Sequence, residues 1–220
     1  MTYSKALQLH RAVARVDLCM ASAAQALISE LDAMLPKRSD AQRYDMLRQV
    51  CDLFLAHAQA CQAAQVLVFG DVMMALVETV RRDALIELSG KLAPVDNAPS
   101  KVARRLARDD DMAIAGPMLT QSKALTDTDL ADIVANKGPS HLKAVLKRAQ
   151  LGAAVSDLLL ERDDPELIYR LAANEEVHFS EVGIVKLVYA AKNDKKLADI
   201  VLRRKDLPPE MLPFLQMADA

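Results

Sequence analysis

The 220-residue chain has no tryptophan, four phenylalanines, four tyrosines and six glycines. With so few aromatics, a core must be built from Ala, Leu, Val, Ile and Met, most of which favour helices. Six glycines supply few of the tight turns an all-β fold needs. They never fall in GxGxxG or GxxxxGK, so a phosphate-cradling loop is excluded. The three cysteines (Cys19, Cys51, Cys61) form no CxxC pair, which removes zinc-ribbon and thioredoxin-type sites. They read as small buried hydrophobes in a reducing compartment. Charge of one sign is also missing. The formal net charge is −2, and residues 1–95 carry ten basic and ten acidic side chains. Bulk electrostatics therefore gives no case for nucleic acid or an anionic membrane. The most apolar window, Ala63 to Val77, contains Gln65, Gly70 and Asp71 and is too short to span a bilayer. His10, Arg11, Arg15 and Asp17 interrupt the N-terminus, unlike a secretion signal. A soluble, cytoplasmic, all-α protein is the expectation.

Helical periodicity is what the chain has in quantity. In residues 4–34, Leu7, Val13, Val16, Met20, Ala24, Leu27 and Leu31 recur at helical steps, running on to Leu35 before Pro36 ends the pattern. This amphipathic face suits packing within the chain or a homodimer seam. Ser39 and Gln42 form a capping box, and the helix they open carries Met46, Leu47, Val50, Leu53 and Phe54, with apolar character to Phe69. Gly70-Asp71 reads as a break before a third long helix, with Val72, Ala75, Leu76, Val80, Leu85 and Leu88 on one side and Gly90 or Pro94 to stop it. Ala93 to Ser100 (APVDNAPS) has no apolar period and is the best boundary. Residues 1–95 then form an N-terminal long-helix bundle, and 96–220 a second region of shorter elements. Ser100 can cap a helix over 101–108. Pro117 must kink or split the next apolar run. Thr126 to Asp129 caps another helix, Pro139 starts one, and Asp164 with Pro165 and Glu166 starts a further one. A long helix runs from near Ser180 to Asn193, and Pro208-Pro209 restart a final short one.

The second region repeats itself. Asp110 to Val134 and Asp163 to Val188 both open with paired Asp, run through an apolar stretch, cross a polar break and enter a second apolar stretch. Their offset is 53 residues. A self-similar pair of helices points to a stacked helical array, and such arrays mostly bind macromolecules on an extended face.

Chemistry-bearing constellations are sparse. His57 and Cys61 are four apart and could share a helix face, but two ligands do not make a metal site. Nothing places His10, His141 or His178 beside a cysteine for nucleophilic catalysis. Asp109-Asp110-Asp111 and Asp163-Asp164 stand where helices begin, so capping explains them better than acid–base work; Glu175-Glu176 is a third acidic pair. Met73 and Met74 read as core. No catalytic residue, metal or cofactor is expected. One cluster stands out as a candidate partner-binding ridge: Lys186, Lys192, Lys195, Lys196, Arg203, Arg204 and Lys205, opposed only by Asp194 and Asp199. Lys143, Lys147 and Arg148 form a smaller group. The ridge would meet an acidic protein patch or phosphate. Nucleic acid is the weaker version, because only Tyr189 lies among those cations to stack a base.

Four phrases carry a family resemblance: FGDVMMALVETVRRDALIELSGKLAPVDNAPSKVARRLARDD, DMAIAGPMLTQSKALTDTDLADIVA, VSDLLLERDDPELIYRLAAN and KDLPPEMLPFL. Over roughly Ser39 to Phe214 the chain resembles a bacterial, mainly alphaproteobacterial, family catalogued as a domain of unknown function. The C-terminal part of that family is similar to HEAT and leucine-rich-variant helical repeats. HEAT-type repeats often kink at a Pro in their first helix, as Pro117 would; Arg170 in the second copy departs from that. The resemblance implies HEAT-like repeats in the C-terminal part and brings no catalytic residues; with the helix pattern before it, the expected fold is a long-helix bundle packed on a short right-handed HEAT-like α-solenoid. The reading is a non-enzymatic interaction module for another protein. A nucleic-acid-binding helical-repeat protein comes second and an enzyme with an unrecognised site third.

Overall fold

The computed structural model describes residues 38–216. The amphipathic stretch 4–34, with Cys19 and His10, lies outside them. All regular structure among the described residues is helical, in twelve α-helices joined by short turns. We label them α1 (Asp40–His57), α2 (Ala63–Val77), α3 (Arg82–Leu92), α4 (Ser100–Ala107), α5 (Met112–Gln121), α6 (Asp127–Asn136), α7 (Pro139–Val145), α8 (Ala153–Leu160), α9 (Pro165–Ala173), α10 (Glu181–Ala191), α11 (Lys195–Val201) and α12 (Leu212–Gln216). No helix among these residues is long and apolar enough to cross a membrane. The chain divides into two compact units: residues 1–106 with 122–124, and residues 107–121 with 125–220.

In the first unit, α1 starts at the expected capping box. Ser39 Oγ accepts from the Gln42 amide at 3.3 Å, and the Ser39 amide donates back to Gln42 Oε1 at 3.0 Å. Its apolar positions Leu47, Cys51 and Phe54, with Ala58 just beyond, share one buried face. Phe54 meets Phe69 of α2 with ring centroids 5.4 Å apart. Two expected boundaries move. The chain breaks at Cys61-Gln62, where Gln65 Oε1 accepts from the Gln62 amide at 2.9 Å. Gly70 is no break, because α2 runs straight through it. The glycine is there for packing: a Cβ would stand 3.0 Å from the Pro99 Cβ. Helix α3 is tied to α1 by polar groups. Tyr44 donates to Glu87, and Lys91 reaches both Asp52 at 2.8 Å and Glu87 at 2.9 Å. The Tyr44 hydrogen bond, then Lys91, hold the Glu87 carboxyl below its usual range.

By its sequence repeat the second unit divides into the pairs α5–α6, α7–α8, α9–α10 and α11–α12. The consecutive helices that pack on one another are those across the divisions, α6 on α7, α8 on α9 and α10 on α11. Their first helices begin at residues 112, 139, 165 and 195, so each pair occupies 26–30 residues. The 53-residue sequence repeat is therefore two pairs, not one. The second helices stack in order, α6 on α8, α8 on α10 and α10 on α12; among the first helices, α5 packs on α7 and α9 on α11. Each pair packs chiefly on its neighbours, as in repeat architectures. The expected caps are present. Thr126 and Asp129 close a capping box on α6, and Asp164 with Pro165 at the first position opens α9. Asp163 adopts φ 53°, a left-handed turn that Asp tolerates. Helix α5 is not split at Pro117; the ring forfeits one amide hydrogen bond and the helix continues.

Carboxylates laid on glycines join the second helices. A Cβ on Gly152, the N-cap of α8, would lie 1.9 Å from Asp127 Oδ2. One on Gly183 in α10 would lie 1.9 Å from Asp157 Oδ1. Asp157 cannot simply swing away, because its carboxylate accepts from both the amide and the hydroxyl of Ser180, the N-cap of α10. Gly183→Ala is therefore expected to lower unfolding free energy by about 1–3 kcal/mol, the size of an overpacking strain or a lost buried hydrogen bond. Urea denaturation checks this. Asp157→Ala in the same chain should remove much of the penalty, since the clashing group is gone.

Candidate interaction surfaces of the helical array

The cations expected to form one ridge have separate fates. Lys186 bridges to Glu161 just past α8 at 2.7 Å, and Lys205 to Glu175 at 3.2 Å. Lys192, Lys195, Lys196 and Arg203 are exposed. Arg204 is a correction: its side chain is 4 % exposed and faces the interior. Its guanidinium donates to the carbonyls of Ala172 at 3.1 Å, Asn174 at 2.8 Å and Val177 at 2.8 Å. It also pairs with Asp206 at 2.7 Å and lies 4.9 Å from the Phe179 ring centroid. These carbonyls lie at and beyond the end of α9, where a helix has no internal partners for its last oxygens. Arg204 is a structural tie and not a partner contact. The smaller group dissolves the same way: Lys143 pairs with Glu166 at 2.7 Å, and Arg148 donates to the Leu119 carbonyl at 2.9 Å.

The other polar candidates are structural. Asp111 Oδ1 accepts from the Ala113 amide and Asp164 Oδ1 from the Glu166 amide, both within hydrogen-bond range. Buried His141 places Nε2 2.8 Å from the Asp109 carbonyl. His57 is exposed at the end of α1, and Cys61 lies beyond a 3₁₀ turn, so one continuous α-helix does not present them together. Burial pushes the Cys51 thiol up to about 11, so it stays protonated at neutral pH. Among the described residues no group of three His, Cys, Asp or Glu side chains is placed to hold a metal ion.

Hollows exist in both units. In the first, a groove of about 440 Å³ is lined by Cys61, Val66, Leu67, Gly70, Pro99 and Lys101, and Lys101 is paired with Asp71. In the second, one of about 380 Å³ is lined by Asp110, Asn136, Lys137 and His141, with Lys137 and Asp110 bonded at 2.6 Å. Each holds a local ion pair and no set of groups arranged around a reacting atom.

The surface that sequence reading missed is apolar. On α10, Val182, Val185 and Tyr189 are 63 %, 48 % and 78 % exposed. They recur at i, i+3 and i+7, which places them on one helix face, and exposed Lys192 continues that line. Leu212 and Phe214 of α12, a helix that packs on α10, are exposed too. The signal was available: α10 reads EVGIVKLVYAA, whose apolar residues exceed what its buried face (Gly183, Leu187, Val188, Ala191) uses.

Two arginines side by side test these assignments. Arg204→Met should cost about 3 kcal/mol or more, because several buried carbonyls lose their donor. Arg203→Met should stay within about 0.5 kcal/mol, as for an ordinary surface position. Chemical denaturation of both variants reads the difference.

No curated protein and no solved structure matches the chain. Residues 114–215, from the first turn of α5 into α12, match a family described as an uncharacterised protein conserved in bacteria (DUF2336).

Proposed function

We propose that this chain is a non-enzymatic, cytoplasmic interaction module that holds another protein on the second-helix layer of a HEAT-like array, in a scaffolding or regulatory role. The observation that carries the reading is the α10 stripe. Three large apolar side chains at helical spacing stand in water on an otherwise well-packed helix. Contiguous exposed apolar surface of this kind marks interaction sites. Spacing of i, i+3 and i+7 is the register at which one helix face meets a partner helix or groove. Tyr189 has the amphipathic character of an interface hot spot. Exposed Lys192, Lys196 and Arg203 would form a polar rim.

Catalysis has less support: Lys101 and Lys137 in the two hollows are held in ion pairs, and His141 Nε2 lies against the Asp109 carbonyl. Nucleic-acid binding is weakened by the neutralisation of Lys186, Lys205 and Lys143 and the burial of Arg204.

The test is pull-down from host lysate with two full-length variants. Val185→Asp with Tyr189→Asp is expected to weaken capture of a discrete, nuclease-resistant partner by about tenfold or more, the effect of losing a hot spot, with circular dichroism unchanged. Lys196→Glu with Arg203→Glu should weaken it less. Undiminished capture by the stripe variant would remove α10 from the account.

A further inference from the structure

The outer face of α10 has a charge order as well as an apolar stripe. Glu181 opens the helix and Lys192 caps its end, and both are exposed. At about 100° per residue, Glu181, Val182, Val185, Tyr189 and Lys192 fall within about a third of the helix circumference. Buried Gly183, Leu187, Val188 and Ala191 lie outside that arc. Along the helix axis the arc reads acid, three large apolar side chains, base. Lys186 stands at its edge and is taken up by Glu161. Among the described residues the side chains of Glu181 and Lys192 make no ion pair. A face with opposite charges at its two ends complements itself when turned end for end, which is the condition for an isologous twofold contact.

We propose that, when no other protein occupies it, this face pairs with the same face of a second copy of the chain, the two α10 helices running antiparallel. The inference rests on the reading of the α10 stripe as an interaction surface and names its resting occupant. Charge selects both the occupant and its direction. Antiparallel, Glu181 of each copy meets Lys192 of the other and two ion pairs form; parallel, like charges would face each other. The same register seats each Tyr189 between Val182 and Val185 of the second copy, as a knob enters a hole. Charged ends and apolar middle are thus matched in one arrangement. An unrelated helix would need an acid and a base at the corresponding ends, whereas every copy of this chain carries both. One helix face is a small interface, so the pair is weak and reversible, and a tighter partner displaces it. Self-pairing and capture of another protein then compete for one surface.

Sedimentation equilibrium of the full chain tests this. A monomer–dimer equilibrium with a dissociation constant of about 1–100 µM is expected, as for a contact below standard size. Glu181→Lys and Lys192→Glu should each weaken it about tenfold, because two exposed ion pairs turn repulsive. Mixing those two variants should restore association as a mixed dimer, since the lysines of one then face the glutamates of the other. The chain carrying both substitutions should recover it as well. Local damage to α10 would not be repaired by mixing, so recovery reports the pairing itself. A chain that stays monomeric across that range overturns the proposal, and so does a dimer indifferent to the single substitutions or unrecovered in the mixture. Partner capture that still requires Val185 and Tyr189 would then leave the interaction reading standing. Conversely, self-pairing through the stripe with capture undiminished by Val185→Asp and Tyr189→Asp would remove that reading and keep the pair.

Discussion

Helices of seven to eleven residues cannot stand alone, and those of the array, α5 to α11, are all of that length. Each leaves carbonyls at its C-terminus without internal partners. Arginines from the following pair take up that role. Arg148, just past α7, donates to the end of α5; Arg162, just past α8, donates to Val134 and Ala135 at the end of α6; Arg204, just past α11, donates to the end of α9 and the turn beyond it. The guanidinium suits this position because its fork of donors reaches several oxygens at once and its charge complements the negative end of the helix dipole. At the first and the last of the three junctions, the sequence of one pair thus completes the backbone of the pair before it.

That arrangement explains why the surface has the character it does. Five of the basic residues that would suggest an anionic ligand, Lys143, Arg148, Lys186, Arg204 and Lys205, are engaged within the stack. Asp127 and Asp157, lying on Gly152 and Gly183, set how closely the second helices approach. With the stack fixed by polar ties and small residues, α10 need not bury its outer face for stability. Val182, Val185 and Tyr189 are left exposed, which is the face we propose a partner covers.

Local signals were legible in the sequence and non-local ones were not. Ser39 with Gln42, Thr126 with Asp129, and Asp164 with Pro165 each identify a helix start from within four residues, and each is found where expected. The all-helical class followed from composition. The period was doubled because α7 opens with Gly138-Pro139 where α5 and α9 are preceded by paired Asp, so the third pair resembles the first and not the pair between them. Gly70 looked like punctuation because its reason, Pro99, lies 29 residues away. Arg204 looked like a surface cation because its partners are backbone oxygens about thirty residues upstream, which leave no mark in side-chain sequence. The segment 4–34 lies outside the described residues.

Native-state hydrogen exchange of the Arg204→Met chain tests the coupling of neighbouring pairs most directly. If the guanidinium joins them, amides of α9 and α11 gain exchange together, in one cooperative step, while α5 to α7 keep the protection of the parent chain. Loss of protection confined to the residues around position 204, or spread evenly over the whole array, would contradict the claim that successive pairs are held through their carbonyl ends.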